Sequence, residues 1–239
     1  MRSQWDGFDE PYAVDPARAF ASYRTKKTAF WGDDFFGDAV DANHWTAVDV
    51  GSATITQVDG LLGGGGIMRS YVEGTSEAQD ASLYGTDINQ FDINARLLVE
   101  FRARTPVINT GPESALGVCG TWNLDMDTIA VSAWFKWAGS AVVVAETDDT
   151  TNNNDDKATG ITTTTTAWHI YQIDFEDPSD VKFYIDGIRV ASATTFDMSN
   201  LTATEAVVQP CIINNKATGT SVHTLDVDYI KMWQDRQTA

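Results

Sequence analysis

The chain has 239 residues, 43% of them apolar and 21% charged, a globular composition with enough length to bury a substantial core. Its formal net charge of −18 excludes nucleic acid or an anionic membrane as the main partner. No stretch approaches the roughly 18 consecutive apolar residues that a spanning helix needs.

Residues 1–28 differ from the rest. They carry scattered aromatics (Trp5, Phe8, Tyr12, Phe20 and Tyr23) and a basic patch at Arg24, Lys26 and Lys27. The opening "MRSQWDGFDEPYAVD" has no apolar core, so no secretory signal is expected. Asp15 as N-cap and Pro16 at the first helical position predict one short helix to about Tyr23. With so few periodic apolar positions the segment cannot fold alone. It is expected to be an arm that packs on its own domain or on a neighbour, with residues 29–239 as the body.

From residue 29 onward the pattern has period two. "ARLLVEFRAR" sets Leu97, Val99 and Phe101 against Arg96, Glu100 and Arg102. "TIAVSAWFKW" puts Ile129, Val131, Ala133, Phe135 and Trp137 on one face and Thr128, Ala130, Ser132, Trp134 and Lys136 on the other. "ETDDTTNNNDD", residues 146–156, lacks EF-hand spacing and an internal glycine, so a solvated acidic loop is preferred to a calcium loop. "HIYQIDF" alternates Tyr171, Ile173 and Phe175, and "VKFYIDGIRVA" carries Val181, Phe183 and Ile185 into a hairpin turn at Asp186-Gly187. "TLDVDYIKMW" closes the chain with Leu225, Val227 and Tyr229 on one face. Many strands, turns rich in Gly, Asn and Thr, and no long helical pattern predict an all-β, two-sheet antiparallel sandwich.

Three stretches carry a resemblance. "FWGDDFFGDAVDANHW", "WHIYQIDFEDPSDVKFYIDGIRV" and "LDVDYIKMW" are similar to the opening turn, back-sheet hairpin and closing strand of laminarinase-like glycoside hydrolases. The resemblance implies the concanavalin A-like jelly roll that those enzymes share with legume lectins and laminin-G modules. It also implies a structural calcium, held at the matching positions Asp34 and Asp228. The family's catalytic motif, Glu-x-Asp-x-x-Glu or Glu-x-Asp-x-Glu, is absent. After Asp125 and Asp127 the positions for the acid/base hold Ile129 and Ala130. Two residues along a strand span roughly 6.6 Å, more than the roughly 5–5.5 Å of a retaining pair. The two aspartates are therefore expected in a loop, and no catalytic residue is assigned.

A second resemblance, carried by "TSEAQDASLYG", "NLDMDTI", "AETDDTTNNNDDKATG" and "TTFDMSNLTATEAVVQP", is to jelly-roll structural proteins of tailed phages. It implies a non-enzymatic virion protein decorating or cementing the capsid exterior. The arm would dock on the major capsid protein or another virion protein, and the assembly would be a homotrimer. A lectin-like module on a head or tail fibre, reading a host-surface glycan through Trp122, Trp134 and Lys136, is the alternative. A divergent glycosidase ranks third. Cys119 and Cys211 are expected to stay unpaired, and His44, His169 and His223 lack metal-ligand spacing.

Overall fold

A computed structural model describes residues 28–59, 66–88 and 90–236. The arm residues Trp5, Phe8, Tyr12, Phe20, Tyr23, Arg24, Lys26 and Lys27 lie outside the described residues. The chain opens with β1 (Thr28–Asp33), β2 (Thr46–Val50), β3 (Thr54–Asp59), β4 (Gly66–Val72) and β5 (Gln79–Tyr84). There follow β6 (Phe91–Asp92), β7 (Leu98–Val107), β8 (Glu113–Cys119), β9 (Val131–Ala138), β10 (Val142–Asp149) and β11 (Asn153–Thr162). The last five are β12 (His169–Asp174), β13 (Lys182–Ile185), β14 (Ile188–Val190), β15 (Val207–Lys216) and β16 (His223–Asp235).

These strands form two antiparallel sheets, the predicted jelly-roll sandwich. The first runs β14-β13-β12-β7-β16-β4-β3, with β1 added alongside β16; the second runs β11-β10-β9-β8-β15-β5-β2, with β6 against β15. β16 is long enough to pair with β4 through its first half and β1 through its second. The turn between β13 and β14 is the predicted Asp186-Gly187, both at positive φ (51° and 77°), as a two-residue hairpin requires.

The core lies between the sheets. Phe101 is buried there with Phe135, Trp137, Tyr171, Phe183 and Phe196, and these last five pack edge-on or tilted at centroid distances of 4.8–5.4 Å. Each such side chain contributes about 1.5–3 kcal/mol by leaving water. Alternation along β7, β9, β12 and β13 thus decided which face turned inward. Two expectations need correction. A β-bulge between Val227 and Tyr229 flips the phase of β16, so Tyr229 leaves the core face and its hydroxyl donates to Glu100 at 2.9 Å. The 146–156 segment is not a loop but the β10–β11 hairpin. Only Thr150, Thr151 and Asn152 make its turn, organised by amide groups of Thr151 and Asn152 donating to Asp149 Oδ1.

The outer face of the first sheet is covered by paired charges. Asp226 is fully buried and accepts from Arg69 Nε (2.7 Å), Arg69 Nη2 (2.9 Å), Arg104 Nε (3.0 Å) and Arg104 Nη2 (2.9 Å). Arg102 pairs with Asp228, and the Arg102 and Arg104 guanidinium groups sit 4.8 and 4.6 Å from the Trp168 ring centre. Glu100 accepts from Gln172 Nε2 at 2.9 Å. No described helix is long and apolar enough to cross a membrane.

Candidate functional site

The outer face of the second sheet is built differently. Ser132, Trp134 and Lys136 point to it, the face the alternation of β9 assigned them, while Val131, Ala133, Phe135 and Trp137 fill the core side. Cross-strand register adds Ser132↔Asp148 and Trp134↔Glu146 from β10. From β8 it adds Trp134↔Gly117 and Lys136↔Ala115. Gly117 has to be glycine: a Cβ there would meet Trp134 Cβ at 2.5 Å and Ala133 O at 2.1 Å. The missing side chain is what lets the indole lie against β8.

Across this floor runs the 120–130 loop. Asp125 caps a single 3-10 turn, Met126–Thr128, by accepting from the Asp127 amide at 3.2 Å. Met126 and Ile129 pack down on Trp134, Ala115, Cys211 and Ile213 as a small second core. Trp122 stacks on Tyr84 with centroids 4.8 Å apart and planes within 7°. Asp125 and Asp127 are therefore loop residues, and the Asp127 side chain is 77% exposed. The loop divides the face into two cavities, of about 440 Å³ over Lys136 and about 500 Å³ over Asp80, with Glu113, Met126 and Asp127 lining both.

The loop also corrects the glycan-contact expectation. Trp134 is only 1% exposed because Met126 and Ile129 cover it, so it offers its indole edge and not an open stacking face. Trp122 spends its flat face on Tyr84, and Lys136 is 6% exposed on the cavity floor. Trp134 and Lys136 form the floor of a cavity and Trp122 packs beside the small second core, so the three do not make a sugar-stacking platform.

The electrostatics of the cavity centre on Lys136. Its Nζ lies 3.4 Å from Glu146, 3.7 Å from Asp156, 3.8 Å from Glu113 and 3.9 Å from Asp127. Burial pulls the ammonium's pKa down; the carboxylates, Glu146 foremost, outweigh it and hold the pKa above the ordinary lysine value. Burial likewise raises Glu113 and Glu146, with Lys136 opposing both, and raises Asp148. Across the loop, burial pushes Asp80 up to about 7, with the Ser82 hydroxyl opposing.

Several polar atoms here are buried without a good hydrogen-bond partner in the protein: Ser132 Oγ, Trp134 Nε1 and Trp122 Nε1, and both Asp80 carboxylate oxygens. Ser132, Trp134 and Asp80 line the two cavities. A buried polar group left unpaired costs about 1–3 kcal/mol, so such a group facing a cavity marks a place for a polar guest.

The implied calcium pair does not fit. Asp228 is committed to the Arg102 guanidinium, Asp34 is exposed, and among the described residues no three His, Cys, Asp or Glu side chains gather as metal ligands. His169 pairs with Asp186 (2.7 Å) at the start of β12, and His223 is buried against Ser114 (3.0 Å), its pKa lowered by burial to about 4. Cys119 and Cys211 are both buried and free. Glu113 and Asp80 are not singled out by the sequence, and Glu146 and Asp148 enter only as part of the acidic 146–156 run. Their signal was weak: Glu146 and Asp148 continue the alternation of "VVVAETDD", but nothing local says that this strand lies beside β9.

No protein-family profile and no curated protein sequence matches this chain. Solved structures do. A Shewanella oneidensis MR-1 protein of unknown function superposes with a TM-score of 0.60 at 13% identity, covering 96% of this chain and 100% of its own. The laminarinase catalytic domain of Thermotoga maritima gives 0.58 at 14%, covering 87% and 98%. The laminarinase of a Flavobacterium species gives 0.56 at 18%, covering 85% and 99%. At such identities the likeness establishes the concanavalin A-like fold.

The expectation that the chain is not an enzyme is overturned by the same finding, since the structures it resembles are mostly endo-glycosidases. That expectation rested on a carboxylate motif within one strand. The fold instead brings Glu113 of β8 and Glu146 of β10 to the two sides of Lys136 on β9.

Proposed function

We propose that this protein binds a carbohydrate chain along the outer face of the second sheet, seated in the two cavities and crossing under or beside the 120–130 loop. The observation that carries it is the set of buried, unpartnered polar atoms on the cavity floors: Ser132 Oγ, Trp134 Nε1 and the Asp80 carboxylate. A hydroxyl-rich guest supplies both donors and acceptors to such atoms. The glycan-cleaving neighbours of the same fold support the choice of guest.

Hydrolysis is the second reading, favoured by Glu113 and Glu146. One oxygen of each stands 3.8 and 3.4 Å, respectively, from the same Lys136 Nζ, so these two oxygens lie no more than the sum of the two, 7.2 Å, apart. That bound admits either a retaining pair (about 5–5.5 Å) or the short end of an inverting one (about 6.5–9.5 Å). Burial of Glu146 favours its protonated form, which suits the acid that protonates the leaving oxygen. Glu113, nearer the loop and more exposed, is the partner carboxylate. Lys136 holds the pair in place between them.

A place on the outside of a phage particle remains a proposal carried by the sequence resemblance. It needs the 1–28 arm, and binding to undecorated capsids that is lost on deleting that arm is its test. The experiment for the cleft is calorimetric titration of the full chain with neutral β-linked oligosaccharides, alongside release of reducing ends. Binding is expected, and Glu146→Gln should retain it while any cleavage falls at least about 100-fold. Failure of every neutral oligosaccharide to bind would contradict the reading.

A further inference from the structure

The charge around Lys136 is one-sided. Six carboxylates line this cavity (Glu113, Asp127, Glu146, Asp148, Asp155 and Asp156), and Lys136 is the only cation among its lining residues. The lysine does not satisfy them. It stands at 3.4–3.9 Å from four, longer than the roughly 2.7–2.9 Å of a tight ammonium–carboxylate bond, and has no ion pair with Asp148 or Asp155. Glu113, Glu146 and Asp148 are raised by burial, which fits a wall short of positive charge.

Two kinds of guest could relieve that shortage, and the cavity distinguishes them. A metal ion needs several oxygens converging within about 2.6 Å of one point, and no such group of three occurs among the described residues. An ammonium group tolerates the wider spacing, as Lys136 itself demonstrates. The floor adds a second requirement. Ser132 and Trp134 line the cavity floor and are each about 99% buried, and Ser132 Oγ and Trp134 Nε1 have no partner in the protein. The indole N–H can only donate, so its guest must present an oxygen beside the ammonium.

From this juxtaposition we infer that the Lys136 cavity selects sugar residues bearing a free amino group, of the glucosamine type, and excludes acidic sugars. The inference rests on the cleft being a carbohydrate site and names which carbohydrate it prefers. The ammonium lies between Asp148 and the rim pair Asp155 and Asp156, while a neighbouring hydroxyl accepts from Trp134 and bonds Ser132. A uronate or sulfated sugar meets the same wall as a like charge. With about 440 Å³ the cavity is large enough for a short oligosaccharide segment.

The test is calorimetric titration of the full chain with four tetrasaccharides: glucosamine, N-acetylglucosamine, galacturonate and neutral β-linked glucose. The glucosamine tetramer is expected to bind at least about tenfold tighter than its N-acetylated counterpart, and the galacturonate tetramer not measurably. The exposed double variant Asp155→Asn with Asp156→Asn should cut that preference several-fold. Ser132→Ala, which removes an unpartnered hydroxyl, should weaken glucosamine binding with no loss of folding. General attraction to an acidic protein would not respond to that change, so an unaltered affinity in Ser132→Ala overturns the inference. Equal or tighter binding of the N-acetylated or acidic tetramer also overturns it, while leaving the cleft a carbohydrate site. If none of the four binds, the carbohydrate reading falls as well.

Discussion

The two outer faces of this sandwich both carry charged side chains and use them in opposite ways. On the first sheet each buried charge is answered from within the chain: Asp226 by Arg69 and Arg104, Asp228 by Arg102, Glu100 by Gln172 and Tyr229. On the second sheet burial is just as deep, yet Asp80, Ser132 and Trp134 are left without partners and six carboxylates share one lysine. A protein stabilised only by its own contacts would gain by pairing or removing those groups. The first sheet has its own unpartnered Gln172 Oε1, but on the second sheet such atoms gather beside two cavities, as a binding surface requires.

The largest loss of stability should come from breaking the closed face. Asp226→Asn leaves Arg69 and Arg104 facing each other without a counter-charge. Because both arginines are partly exposed, about 3 kcal/mol of stability should be lost, the low end for a broken buried pair. Urea unfolding measures it, and a loss under 1 kcal/mol would mean the network is decorative. The same chemical change on the open face should have the opposite sign. The Asp80 carboxyl is raised from 3.8 to about 7 by burial, so the unfolded chain releases this proton first. Its contribution to stability is present below about pH 4 and lost as the pH rises to about 7. Asp80→Asn should therefore stabilise the protein at pH 8 by up to ~4 kcal/mol, with little change at pH 4. Destabilisation at pH 8 would show that Asp80 is satisfied after all.

Loosening the loop should cost less. Met126→Ala removes the anchor that holds the 3-10 turn against Trp134, for about 2 kcal/mol, and should expose that indole to a fluorescence quencher. An unchanged quenching rate would mean other loop residues keep Trp134 covered. Smallest of all is Asp127→Asn. Its side chain is 77% exposed and 3.9 Å from Lys136, so stability should move by less than about 0.5 kcal/mol in the same unfolding assay. A larger change would give the loop aspartate a structural role that its geometry does not.

What could be read from the sequence was what depends on near neighbours. The Asp186-Gly187 hairpin, the inward faces of β7 and β9, and the loop placement of Asp125 and Asp127 all follow from period-two alternation and local turn chemistry. Tyr229 was misplaced because a bulge, set by pairing with β7, shifts the phase of β16. The acidic hairpin reads as a loop because Asn, Asp and Thr are weak evidence for a strand; its pairing with β9 overrides that preference. Trp134 was placed on the correct face but thought open, since the covering loop is a tertiary feature. Glu113 and Glu146 meet only because β8 and β10 flank β9, a juxtaposition no single-strand motif records.

The most direct test follows the indole N–H resonances of Trp134 and Trp122 in the full chain during titration with an oligosaccharide. The account predicts that both shift, Trp134 Nε1–H moving downfield as it gains an acceptor, while the indole of Trp168 on the opposite face stays still. If Trp168 responds and Trp134 does not, or if no indole moves at saturating sugar, the open face of the second sheet is not the binding surface.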